Sequence, residues 1–148
     1  MPRYPSVLRS VASNHNSGVR FSDGAPKKTM KFKQYIVLRS DLDMSPGKLV
    51  AQGAHASVAA VNQVPFKWIE DWTNEGTAKI VIRINSEKEL MELFGRIQYA
   101  TNNIAVMIYD AGKTEIPDSF TAFAVGPYPI GEKIGEDIQQ ILGKLPLM

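Results

Sequence analysis

Lys48, Gln52 and His55 stand at i, i+4 and i+7 in Ser45-Pro46-Gly47-Lys48-Leu49-Val50-Ala51-Gln52-Gly53-Ala54-His55-Ala56. On a helix turning ~100° per residue, the three fall within an arc of roughly 60°. An ammonium, an amide and an imidazole in one row can hold an anion, donate to a developing oxyanion or move a proton. A second polar cluster, Asp110-Ala111-Gly112-Lys113-Thr114, offers a carboxylate, a permissive glycine, a cation and a hydroxyl. Asp110 could orient Lys48 or activate a water, and Thr114 could donate to an oxyanion. Lys48, Lys113 and a helix N-terminus could cradle a phosphate. Each residue also has a plainer reading. A lysine on a helix face is ordinarily solvated, a histidine among small residues is ordinarily structural, and an aspartate at a strand end caps a turn.

Several other chemistries are excluded. The chain has no cysteine, so disulfides, thiolate ligands and cysteine nucleophiles are ruled out. Its two histidines, His15 and His55, are too few for a multi-histidine metal site. Gly112-Lys113-Thr114 looks like the end of a P-loop, but Met107 stands where the first glycine is needed and Pro117 blocks an immediate helix. No Gly-x-Ser-x-Gly elbow is present. No metal and no cofactor are expected.

The elements that must position these residues are readable from pattern. Gln34–Arg39 is a short β-branched strand. Ser45 is an N-cap with Pro46 at the first helical position, and that helix should run to Asn62 or Val64 before Pro65. Leu49, Val50, Gly53, Ala54, Ser57, Val58 and Val61 would give it an apolar or small face for the core. A second helix is expected from Pro65 to Asn74, a strand over Ala78–Ile84, and a helix opened by the Ser86/Glu89 capping box and running to Tyr99. Strands at Ile104–Tyr109 and Thr121–Val125 and a final helix over Ile130–Leu142 complete the chain. The order β-α-α-β-α-β-β-α predicts an α/β fold on a four-stranded mixed sheet, with the first three strands parallel and the fourth antiparallel. Ligands in such sheets sit beyond the carboxyl ends of the parallel strands, where the Lys48 helix begins and Asp110 ends its strand.

The 148 residues fit one domain of moderate core, 44% hydrophobic and 22% charged. No apolar run approaches the ~20 residues of a membrane-spanning helix. The net charge of +2 is unevenly placed. Residues 1–30 hold five basic side chains against Asp23, leaving 12 basic and 14 acidic residues for the remainder. Nucleic acid would therefore have to meet a local patch. Residues 1–30, rich in Ser, Asn, Gly, Pro and Arg, read as a flexible extension preceding a domain over 31–148. Their arginines and serines are also compatible with a mitochondrial transit segment, set against a cytoplasmic protein with a disordered extension.

The ordered set Tyr35–Leu42, Met44–Ala56, Asp110–Thr114 and Val125-Gly126-Pro127 resembles the type 2 peptidyl-tRNA hydrolase family of archaea and eukaryotes. The resemblance covers roughly residues 33–148. It implies a three-layer α/β/α sandwich and hydrolysis of the ester between peptide and tRNA, releasing both. Lys48, Gln52, His55, Asp110 and Thr114 stand at the family's motif positions, with Gly112 and Lys113 in the same loop. The implied roles are catalysis by Lys48, His55, Asp110 and Thr114, and substrate binding by Gln52, Gly112 and Lys113. The loop reads Lys113-Thr114-Glu115 where the family often has Arg-Thr-Gln, which lowers the local positive charge. The expected partner is peptidyl-tRNA, with a homodimer as a further expectation. A non-catalytic RNA- or protein-binding module on the same fold is the competing reading.

Overall fold

A computed structural model describes residues 30–113 and 115–148. The flexible extension expected over 1–30 lies outside the described residues but for Met30. Among the described residues the strands are β1 (Phe32–Arg39), β2 (Lys79–Ile84), β3 (Val106–Asp110) and β4 (Ser119–Pro129). The helices are α1 (Pro46–Val61), α2 (Phe66–Glu75), α3 (Glu87–Thr101) and α4 (Lys133–Leu142). None is long and apolar enough to cross a membrane.

The strands form one mixed sheet in the order β2-β1-β4-β3. β1 and β2 pair in parallel, while β4 lies antiparallel to both β1 and β3. The expected parallel pairing among the first three strands is corrected here, because it reaches only β1 and β2. β3 turns directly into β4 through residues 111–118, as antiparallel neighbours can. β4 then occupies the place beside β1 that a third parallel strand would have taken. Since β1 and β3 are each antiparallel to β4, both still end at the same edge of the molecule.

Alternation along the inner strands divides the core. Ile36 and Leu38 of β1 join Ala122 and Ala124 of β4 and Ala56 and Ala60 of α1 in one cluster. Tyr35, Val37, Phe123 and Val125 belong to the other, with Leu90 and Ile97 of α3 and Ile138 and Leu142 of α4. The α1 contact is alanine against alanine, which brings helix and sheet close together. It also rotates α1 from its expected setting. Gln52, Gly53, Ala56, Ser57 and Ala60 are its buried positions, while Val50 and Val58 are 73% and 54% exposed.

Candidate active site

Ser45 caps α1, its hydroxyl accepting from the Lys48 backbone N–H at 3.2 Å, and Pro46 starts the helix. This start sets Lys48 in the first turn, over the end of β3. Its Nζ donates to Asp110 Oδ2 at 2.5 Å, and the two side chains are only 13% and 10% exposed. One turn later, Gln52 Nε2 donates to the same Oδ2 at 3.2 Å. The other carboxylate oxygen accepts the Gly112 backbone N–H at 2.8 Å. The Lys48 bond first, then the Gly112 bond, hold the Asp110 carboxyl below the usual carboxylate range. The site therefore centres on a fixed carboxylate anion against an ammonium, and not on a poised base.

Gly112 has φ +73°, and a Cβ there would meet the Asp118 backbone nitrogen at 2.6 Å. Only glycine allows this loop both the left-handed turn and the close return. The amide that holds Asp110 thus depends on the absence of a side chain.

The row Lys48–Gln52–His55 does not act as one face. Lys48 and Gln52 meet Asp110. His55 is exposed and, among the described residues, has no hydrogen-bond or ion-pair partner. Lys113 is exposed in the loop beyond Gly112. Thr114 lies outside the described residues.

Two contributors carry no sequence signal of their own. Thr121, fully buried on β4, donates its hydroxyl to Gln52 Oε1 at 2.5 Å. That contact turns the amide so that its NH2 faces Asp110. A register shift between Ile108 and Tyr109 makes it possible, because Ile108 opposes Ala122 whereas Tyr109 opposes Phe120. The extra residue is Thr121. Ala122 faces α1, Phe120 packs in the opposite cluster, and the bulge between them lets Thr121 reach the α1 side. A lone threonine in Phe120-Thr121-Ala122-Phe123-Ala124-Val125 is the one hint the sequence offers.

Glu115 is the second. Its carboxylate accepts from the Ser45 hydroxyl at 2.6 Å and from the Ser45 backbone N–H at 3.0 Å. The hydroxyl bond first, then the backbone bond, hold its carboxyl low. Glu115 thus sets a carboxylate on the N-cap residue, beside the helix N-terminus where a phosphate is expected. An internal carboxylate already complements the helix dipole and the N-cap.

Chemically, the arrangement offers a desolvated cation–anion pair and an oriented amide at one end of a sheet, with an exposed imidazole farther along α1. Such a site can position a water and offset an oxyanion. Among the described residues no three His, Asp or Glu side chains are gathered as a metal ion requires.

A family model described as "Peptidyl-tRNA hydrolase PTH2" matches residues 32–148. The chain is 38% identical over 120 residues to a protein named peptidyl-tRNA hydrolase from Methanocaldococcus jannaschii, covering 78% of this chain and 99% of that relative. A relative of the same name from Thermococcus sibiricus is 39% identical over 125 residues, covering 80% and 98%. One from Methanococcus maripaludis is 41% identical over 100 residues, covering 65% and 85%.

Proposed function

Because the chain belongs to the peptidyl-tRNA hydrolase PTH2 family, we infer that it is an enzyme hydrolysing the ester between peptide and tRNA, and that the Asp110 end of the sheet is where it does so. Water adds to the ester carbonyl, giving a tetrahedral oxyanion. The bond to the ribose oxygen then breaks, the ribose oxygen takes a proton, and the products are free tRNA and the peptide carboxylic acid. The observation that carries the site is the Lys48–Asp110 contact at 2.5 Å, supported on both carboxylate oxygens.

Asp110, anionic and held by three donors, orients the attacking water and fixes Lys48. Its lowered pKa makes it a weak base, so electrostatic stabilisation supplies most of the rate. Lys48 offsets the oxyanion. His55, exposed farther along α1, takes or returns the proton, and Thr114 donates to the oxyanion or the terminal ribose. Gln52 and Gly112 position Asp110, and Lys113 meets tRNA phosphate. With Glu115 filling the helix N-terminus, phosphate recognition falls on side chains and depends on salt accordingly.

Residues 31–148 are the hydrolase domain, matching the span of the family model. The two opposite clusters on β1 and β4 support a three-layer α/β/α sandwich. A translation substrate suits a cytoplasmic enzyme, with a mitochondrial one the alternative. A homodimer is supported by the apolar groove of about 570 Å³ between α1 and β2, with exposed Val50 and Val58 at its rim.

Release of free tRNA from a purified peptidyl-tRNA, followed for wild type, Lys48→Ala and Asp110→Ala, tests the assignment. Folded wild type that releases no tRNA overturns the enzyme. Equal turnover by all three proteins overturns the site.

A further inference from the structure

The sheet has two outer strands, and they are finished differently. β2 is covered by the chain itself. Arg83 N donates to Pro146 O and Met148 N to Val81 O, both at 3.0 Å, and Ile82 forms an antiparallel bridge with Leu147. β3 bonds to β4 on one side, and among the described residues no backbone pairs with its other side. A bare edge presents alternate N–H and C=O groups and is usually blunted by charge, proline or a cover. Val106-Met107-Ile108-Tyr109 has neither charge nor proline, and the strand runs straight into Asp110. Its end is held firm: the Tyr109 hydroxyl donates to Asp118 Oδ2 at 2.7 Å, and its ring meets Phe120 edge-on with centroids 5.2 Å apart.

We propose that the outer edge of β3 binds the peptide part of the substrate as an added strand, parallel to β3. The inference rests on the hydrolase reading above. The direction follows from the chemistry of the ester. The reacting carbonyl is the carboxyl end of the peptide, and Asp110 is the carboxyl end of β3. The rest of the peptide then runs back beside Tyr109, Ile108, Met107 and Val106. Both chains point the same way. Main-chain pairing reads an extended peptide whatever its side chains, which suits a substrate whose peptide has no fixed sequence. At ~3.3 Å per residue, β3 reaches about four or five residues of peptide. The apolar groove between α1 and β2 is the competing location, but Lys48, Gln52 and Asp110 do not line it.

The test varies the substrate and leaves the protein intact. Hydrolysis of N-acetyl-aminoacyl-tRNA is compared with that of peptidyl-tRNAs carrying two to eight residues. The expected result is a kcat/KM that rises about tenfold, worth one or two strand hydrogen bonds, and levels off at about four or five residues. In a pentapeptidyl series, N-methylation at one of two neighbouring residues costs about tenfold and at the other little, because only alternate N–H groups face the edge. A rate independent of peptide length, or equal tolerance of both N-methyl groups, overturns the proposal. So does a length gain that Val81→Ser, in the groove, abolishes. Failure of the hydrolase reading is separate: folded protein then leaves even N-acetyl-aminoacyl-tRNA intact.

Discussion

Arg39 ends β1 and Asp110 ends β3 at the same edge of the sheet, and each holds a half-hidden ion pair built differently. Arg39 meets Asp41 through two bonds of 3.0 and 2.6 Å, Glu87 at 3.1 Å and the Phe120 carbonyl at 3.0 Å. One guanidinium thus ties the β1–α1 loop, the start of α3 and the start of β4 together. Its fork geometry suits such fixed, saturated contacts. Asp110 is the inverse: an anion at the centre, held by a flexible lysine and by neutral donors that are themselves held by Thr121 and a glycine turn. The first cluster spends its charge on joining elements. The second holds a carboxylate at the end of β3 without tying further elements to it by charge. The two clusters differ in the sign of their central group and in what holds it: Arg39 meets two carboxylates and a carbonyl, Asp110 one ammonium and two neutral donors.

The largest effects should separate the two clusters. Asp110→Asn or Lys48→Ala should lower kcat per folded molecule about 100- to 1,000-fold, and each should also cost stability because it leaves a buried partner unpaired. Arg39→Leu should instead leave kcat per folded molecule nearly intact and cost about 2–3 kcal/mol, since it strands a part-buried carbonyl and the carboxylates of Asp41 and Glu87. Tandem tRNA-release assays and urea titrations read both. An Arg39→Leu protein that folds fully but is as inactive as Asp110→Asn would break the comparison.

Next in size is Thr121→Val. It keeps shape but leaves Gln52 Oε1 buried without its donor, so about 1–3 kcal/mol of stability should be lost. With Gln52 free to turn, kcat should fall about tenfold, and KM should hold. An unchanged kcat would remove Gln52 orientation from the site.

A pH profile sharpens the assignment further. The Lys48 ammonium holds Asp110 below the usual carboxylate range, so its contribution is complete above the unfolded value of ~3.9 and is lost as pH falls through the lowered folded value. Activity should therefore stay level down to about pH 4 if Asp110 alone governs the acid side. A loss of activity in His55→Gln with the circular dichroism unchanged would show that the imidazole carries the proton. The carboxyl of Asp41 is lowered as well, by Arg39, so circular dichroism must accompany the profile to separate acid unfolding from titration at the site. The smallest expected change is Glu115→Gln, about two- to fivefold in kcat, because an amide retains one of the two bonds to Ser45.

Much of the frame was legible because its signals are local. Ser45-Pro46 and Ser86/Glu89 mark their helix starts within a few residues. β4 runs past Val125 to Pro129 because pairing with β1 resumes at Lys33–Tyr128 and Phe32–Pro129 beyond an irregularity at Gly126-Pro127. The last helix begins at Lys133, not Ile130, since Ile130 N is already bonded to Lys31 O at 2.8 Å. Lys48 and Asp110 could be paired from order and spacing. Thr121 and Glu115 could not, because each meets its partner across about 70 residues, and only sheet register brings them there. The setting of α1 was misread for a related reason. Its large apolar residues suggested a buried face, but the alanines of β4 select small residues and turn Val50 and Val58 outward.

The bulge at Thr121 makes the site a matter of counting. Deleting one codon between those for Phe120 and Ala122 would leave a more regular strand, with its alternation uninterrupted and both clusters still packed. The hydroxyl that sets Gln52 would be gone, and no side chain would stand at its place. A lineage could carry such a deletion and keep the sheet order, with Gln52 left unset and its product both less stable and slower.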